Sequence, residues 1–242
     1  MIRHSFTLLI FVALLVLCGC QEKPESAESV AQKVVQAHGG AEALRTAQGF
    51  LFHGLIHSLG EEEHGKVWVL FRQPDLLRVV AELADMKVDR LYINGEGWLD
   101  SGTGFEKASG MDLDLMRFQA EHLMIPLGLL EKKYQLKLLE KTGESAPTRL
   151  LLTDSSGTET IISIDPINSV VRMVEREIVV QDKNVKFGVV YEDYRPVKGL
   201  QMPFRTINFV NGKAIGRSDY QSVQTNPSLP ENIFSSPGNG AG

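Results

Sequence analysis

Side chains able to carry chemistry are sparse in this chain. Three histidines come nearest to a metal-binding set. His53 and His57 share one face of a strand-like run, and His64 lies across the following turn beside Glu61-Glu62-Glu63. Imidazoles with carboxylates are what zinc takes. Residues four apart on a strand, however, are separated by about 13 Å, so the two imidazoles reach one ion only if the strand bends. The expectation is a set of solvated hairpin residues and no metal. A second group, Glu175, Glu177, Glu192 and Asp193, alternates with Arg172, Arg176 and Arg195 on adjoining strands. Cross-strand ion pairs on a wet face account for it without a catalytic pair. The Gly-x-Ser-x-Gly elbow, the phosphate-cradling Gly-x-x-x-x-Gly-Lys-Ser/Thr loop and the His-Glu-x-x-His zinc motif are all missing from the sequence. Gly102-Thr103-Gly104 turns between two strands with no helix behind it, which argues against a nucleotide. The chain reads as a non-enzyme without a cofactor.

Its two cysteines, Cys18 and Cys20, have another use. Met1-Ile2-Arg3-His4 makes a short basic start, and residues 8–18 form an almost unbroken apolar run. That run is shorter than the roughly 20 residues needed to span a bilayer, so export and cleavage are the expected fate. Leu17-Cys18-Gly19-Cys20 resembles the lipobox of bacterial lipoproteins, where a Leu, two small residues and a Cys mark the cleavage site and the Cys becomes the acylated terminus. The resemblance implies a signal peptide of residues 1–19, lipidation at Cys20 and a tether of residues 20–25. Both cysteines then leave the accounting, so the mature body has neither disulfide nor thiolate metal site. Losing Arg3 with the leader takes Lys+Arg from 25 to 24 against 30 Asp+Glu, a net charge of −6. Such mild acidity argues against nucleic acid, which calls for a clustered basic face.

The elements that must position anything functional are mostly strands. Residues 170–181, 183–195, 203–211 and 213–223 read as a meander, jointed by Asp182-Lys183-Asn184, Pro196-Val197-Lys198-Gly199 and Asn211-Gly212; Asn-Gly is the strongest short hairpin signal. Upstream, the hydrophobic period is two from Gly49 to Lys107, with turns at 59–63, 73–75, 84–85 and 94–97. Both faces are apolar in places: Val67, Val69 and Phe71 lie on one side of their run, Trp68 and Leu70 on the other. Two segments are helical. One is capped by Ser26 or Ser29, runs to Ala37 and stops at Gly39-Gly40; the other, residues 111–132, starts from Asp112 and is broken by Pro126. Its apolar content suits either a core-covering helix or a plug on a cavity. At 242 residues with 43% apolar content, the chain fits one large antiparallel domain, residues 26–234, with a loose tail at 235–242. The fold class is mainly β with helices (α+β), with eleven or twelve strands.

Three stretches carry a family resemblance. Val30-Ala31-Gln32-Lys33-Val34-Val35-Gln36-Ala37-His38-Gly39-Gly40 followed by Leu44 resembles the opening helix of the LolA/LolB-like lipoprotein-localisation superfamily. Tyr191-Glu192-Asp193-Tyr194 with Gly199-Leu200-Gln201-Met202-Pro203-Phe204, and Asn226-Pro227-Ser228-Leu229-Pro230 then Phe234, look like its closing strands. The resemblance implies an open, unclosed antiparallel half-barrel of about eleven strands wrapped over helices, whose apolar concavity holds the acyl chains of lipoproteins or other lipids. Cavity candidates are Phe52, Trp68, Phe71, Phe187 and Phe209 on strands and Met116, Ile125 and Leu129 in the helical insert. Gln21 after the acylated Cys goes, in related lipoproteins, with delivery to the periplasmic face of the outer membrane. The family's soluble carrier shuttles freely, whereas a Cys20 anchor would hold this chain to a membrane, as in the receptor member. The expected function is lipid or lipoprotein binding at the cell envelope, for transfer to or within the outer membrane. A structural or adaptor lipoprotein, with a filled core and a protein partner, is the other reading.

Cys20→Ala should abolish incorporation of labelled palmitate and release the protein from the membrane fraction; palmitate retained by the variant would show that another residue carries the anchor.

Overall fold

A computed structural model describes residues 25–59, 64–84, 86–141, 143, 145–180 and 182–237. Cys20, the leader and most of the tether lie outside them, as do Glu61, Glu62 and Glu63. Two helices open the described chain, α1 (Ala27–Ala37) and α2 (Gly40–Thr46). Ser26 caps the first, its Oγ accepting from the Ser29 N–H at 3.2 Å. Gly39 ends it at φ +118°, and a Cβ there would stand 2.3 Å from the Gly199 carbonyl oxygen. The His-Gly-Gly and Gly-Leu-x-x-Pro stretches, remote in sequence, therefore touch backbone to backbone.

Six strands follow: β1 (Gly49–Ser58), β2 (His64–Arg72), β3 (Leu76–Glu82), β4 (Lys87–Ile93), β5 (Glu96–Asp100) and β6 (Glu106–Lys107). Helices α3 (Gly110–His122) and α4 (Ile125–Leu130) come next. The chain closes with β7 (Gln135–Leu139), β8 (Thr148–Thr153), β9 (Glu159–Ile164), β10 (Val171–Val180), β11 (Lys183–Val197), β12 (Leu200–Val210) and β13 (Lys213–Thr225), then a 3-10 turn at Glu231–Phe234. All thirteen strands form one open antiparallel sheet, ordered 6-5-4-3-2-1-13-12-11-10-9-8-7. The half-barrel is as expected, with a larger count because the short β5 and β6 extend one edge. Ser109, rather than Asp112, occupies the N-cap of α3, and Pro126 sits in the first turn of α4, where its missing N–H costs nothing.

The strand order has a geometric consequence. First strand β1 pairs with last strand β13, joining two meanders at mid-sheet. The ends of those meanders, β6 and β7, are consecutive in sequence but lie at opposite edges. The chain between them has to cross the sheet, and α3–α4 make the crossing over the concave face. α3 packs on β3, β4 and β5 at one flank and on β10 at the other. Gly97 of β5 permits this approach: a Cβ there would lie 2.8 Å from Met116 Sδ and 3.0 Å from Leu113 Cδ1.

Two apolar clusters result. The large one fills the concave side with Val34, Phe50, Phe52, Phe71, Leu77, Met116, Ile125, Leu150, Ile162 and Val174 among others. The smaller is on the convex side, where Leu70, Leu91 and Phe234 are buried with Trp68 and Trp98 beside them. The C-terminal segment is strapped there: Arg78 holds Asp89 through two hydrogen bonds of 3.0 and 2.7 Å and donates to the Ile233 carbonyl at 3.0 Å. Asn226, at φ +51°, locks the end of β13 to the start of β1. Its Oδ1 accepts from the N–H groups of Gln48 and Gly49, and its Nδ2 donates to the Thr46 carbonyl.

Phe71→Ala should destabilise the fold by about 3–5 kcal/mol, the usual cost of emptying a fully buried aromatic site. Asn226→Ala should cost about 2 kcal/mol through the backbone groups it strands. Urea unfolding followed by tryptophan fluorescence checks both; a shift under 0.5 kcal/mol for Asn226→Ala would show that the lock carries no weight.

Candidate functional site

Alternation along each strand decides what faces the concavity. Phe52 of β1, Val67 and Val69 of β2, Val79 and Ala81 of β3, Val189 and Tyr191 of β11, Thr206 and Asn208 of β12, and Ser218 and Tyr220 of β13 line a recess of about 240 Å³. Leu123, His122 and Gln119 of the α3 end close it. Behind the same helix end lies a narrow gap of about 70 Å³ against His38, Leu44, Phe50, Tyr194, Leu200 and Met202. A third recess, about 470 Å³, opens on the far side among Glu121, Met124, Ile125, Lys133, Tyr134, Leu152, Thr160 and Arg176. His122 and Leu123 are common to the first two recesses, and Met124 and Ile125 to the last two. The α3–α4 junction, from His122 at the end of α3 to Ile125 at the start of α4, is thus the partition separating three spaces.

Polar ties hold that partition. The Tyr191 hydroxyl meets His122 Nδ1 at 2.5 Å, with the rings edge to face at 5.9 Å. Burial lowers His122 from the ordinary 6.5 to about 3, assisted by the Arg176 charge, and keeps the Tyr191 hydroxyl protonated well above its usual range. The hydrogen bond therefore joins a protonated phenol and a neutral imidazole. One residue earlier, Glu121 pairs with Arg176. His38 is the second buried histidine, lowered to about 4 by burial; its Nε2 accepts from the Val171 N–H at 3.1 Å. Tyr194 lies edge-on to it and donates to the Val171 carbonyl at 2.6 Å. Tyr191 and Tyr194 are three apart yet line one gap, and Asp193 between them, at φ +54°, departs from the extended backbone of a regular strand.

The expected site residues are distributed unevenly. Phe52 lines two of the recesses, Ile125 two, and Leu129 a separate groove between α1 and α4. Phe71, Met116 and Phe187 are packed in the concave core. Trp68 is a correction: its parity sends it to the convex side, where it stacks on His53 at 5.1 Å. Phe209 is another, half-buried opposite Gly188 and Ala214, one position out of phase with the recess-lining Asn208. The wet-face reading fits Arg149–Glu175, Lys186–Glu175 and Arg195–Asp193 but not Arg176, which points inward between Val174 and Ile178 of the core. His57 and His64 face one another at 6.4 Å, and His57 Nε2 lies 3.5 Å from Asp219 Oδ2. Among the described residues, no group of three or more His, Cys, Asp or Glu side chains converges as metal ligands do. His38, His122 and Arg176 were missed as site residues; for Arg176 the available signal was its phase with Val174 and Ile178.

Both buried histidines stay neutral in the fold and accept a proton once unfolded. The unfolded chain then binds more protons, and stability falls as the pH drops below about 6.5 toward 4 and 3. The urea midpoint should be lower at pH 5.0 than at pH 7.5, and His122→Gln should shrink that difference; an unchanged difference would remove His122 from the account.

No protein-family description matches the chain, and no curated protein matches it in sequence. Solved structures do match in shape. A DUF1329 family protein from Desulfovibrio piger superposes with TM-score 0.59 at 11% identity, over 87% of this chain and 97% of the other. A LolA superfamily protein from Nitrosomonas europaea gives 0.56 at 16%, over 88% and 98%. A domain assigned to outer membrane lipoprotein sorting, from Vibrio parahaemolyticus, gives 0.51 at 13%, over 85% and 97%. At such identities the likeness is one of fold, and the fold is that of the LolA-like open half-barrels.

Proposed function

We propose that this chain is a cell-envelope protein that buries acyl chains of lipids or lipoproteins on its concave face, anchored through Cys20 to the periplasmic side of the outer membrane. The observation that carries the reading is the shared partition: one short turn, held by a few polar ties, separates recesses of about 240, 70 and 470 Å³. Moving it would merge them into a space on the scale of ordinary ligand cavities. The exchange is energetically mild. Met116, Phe118, Leu123 and Ile125 already occupy the concavity with hydrocarbon, and a CH₂ brought in their place regains about 0.8 kcal/mol of hydrophobic stabilisation. The chemistry is burial alone. The LolA superfamily protein and the lipoprotein-sorting domain that share the fold support the same direction.

A second reading is favoured by the same filled core. With Met116, Ile125 and Leu129 all buried, the protein needs no ligand to be complete, and it would serve as an adaptor for an envelope protein.

The test uses Cys20→Ala protein purified without detergent, examined by native mass spectrometry and titrated with a fluorescent fatty acid. Co-purified lipid and saturable binding are expected. Val69→Asn, on the recess wall, should weaken binding at least tenfold, whereas Trp68→Ala, on the convex side, should leave it unchanged. No lipid and no binding would overturn the reading; a stoichiometric crosslinked envelope protein, insensitive to Val69→Asn, would establish the adaptor.

A further inference from the structure

Arg176 is an unusual residue to find on the inner face of this sheet. Its side chain is only 10% exposed. Nε and Nη2 donate to Thr160 Oγ1 at 3.0 and 2.7 Å, Nη1 donates to Glu121 Oε2, and Cζ lies 5.3 Å from the Phe118 ring centre. A buried guanidinium is costly without a carboxylate partner. The partner it has is poorly placed to keep. Glu121 sits in the last turn of α3, where the helix dipole disfavours a negative charge, and its side chain is 39% exposed, four times as open as the arginine.

The surrounding recess has the chemistry of an amphiphile site. Lys133 stands at its rim, paired with Glu131. Asp154 is the other acid lining it, but Asp154 Oδ1 is taken up by the Ser156 N–H, the Ser156 hydroxyl and the Thr158 N–H of its own turn. Burial raises the Tyr134 hydroxyl to about 12, so it stays protonated. Beyond Arg176 the wall turns apolar at Met124 and Ile125, and these two residues also line the gap leading to Phe50 and Leu127. A planar anion held at one end and a hydrocarbon path at the other define the ligand.

We propose that Arg176 is the head-group site for a long-chain carboxylate, whose carboxylate takes the place of the Glu121 side chain on the guanidinium while its chain runs past Met124 and Ile125. The inference rests on the acyl-burial reading and adds to it the class of head group. A bound carboxylate also releases Glu121, one of the ties on the α3–α4 partition, so head-group capture and opening of the apolar space are coupled. Carboxylate is the favoured anion because a side-chain carboxylate already occupies the position, and because the guanidinium fork matches that planar group.

Equilibrium binding of oleate and of methyl oleate to the Cys20→Ala protein at pH 7.5 tests this. Wild-type side chains should favour oleate by at least tenfold. Arg176→Gln should abolish the preference, bringing oleate to the level of methyl oleate, with folding checked by far-ultraviolet circular dichroism; if the variant is not folded, Arg176→Lys, expected to keep part of the preference, replaces it. Glu121→Gln should tighten oleate several-fold and the ester by less, so that the oleate preference grows. Equal binding of both ligands, or an oleate preference that survives Arg176→Gln, overturns the head-group site while leaving acyl burial standing; binding of neither overturns both. Acetate competing as well as oleate would show a site for small carboxylates and overturn the amphiphile.

Discussion

The whole arrangement depends on one connection. Because β1 and β13 pair at the centre of the sheet, β6 and β7 are driven to opposite edges, and the 27 residues between Lys107 and Gln135 must carry the chain across. A crossing over the convex side would leave the concave hydrophobic face wet. A crossing over the concave side buries it, which is where the apolar content of α3 and α4 takes the chain. The covering element is thus a consequence of strand order, and it is attached at both ends of the sheet instead of being an appendage to one hairpin.

That covering layer is held by two kinds of force of different reversibility. The apolar contacts of Met116, Phe118 and Ile125 are non-directional and can be exchanged for other hydrocarbon. The polar ties, Tyr191 to His122 and Arg176 to Glu121, are specific and lie next to each other at the end of α3. A buried polar group stranded by opening costs about 1–3 kcal/mol. Opening is therefore controlled less by the hydrophobic area than by whether each tie finds a substitute. Tyr191 and His122 hold each other across the end of α3, whereas Arg176 keeps Thr160 and has the more exposed and less favourably placed partner.

The convex side shows why both strand faces of β2 are apolar. Val69 and Phe71 belong to the concave core, while Trp68 and Leu70 form a second, smaller cluster closed by Phe234 from the C-terminal segment. The Arg78–Asp89 pair and the stacking of Arg72 over Phe234 fasten that segment. The Glu231–Phe234 turn accordingly stabilises the outside of the sheet and leaves the inside free for α3–α4.

Much of the architecture was legible in the sequence because it is written in local rules. Period-two alternation with Asn-Gly and Gly-containing turns set out the strands, a serine cap at 26 or 29 and Gly39-Gly40 bounded α1, and the apolar spacing after Asp112 read as helical. Those signals act between residues a few positions apart. What sequence could not decide was every choice that depends on phase across the sheet. Trp68 and Phe209 are as aromatic as Phe52, and only the register of β2 and β12 against their neighbours sends them outward. Arg176 belongs by composition to a band of alternating charges, and only the covering helix, arriving with Glu121, makes an inward arginine tolerable. His122 and Tyr191 are 69 positions apart and acquire a common role only when α3 lands on β11. Local chemistry determined which elements form; the tertiary structure decided which side of each element is inside, because a one-residue change of phase reverses every side chain on a strand.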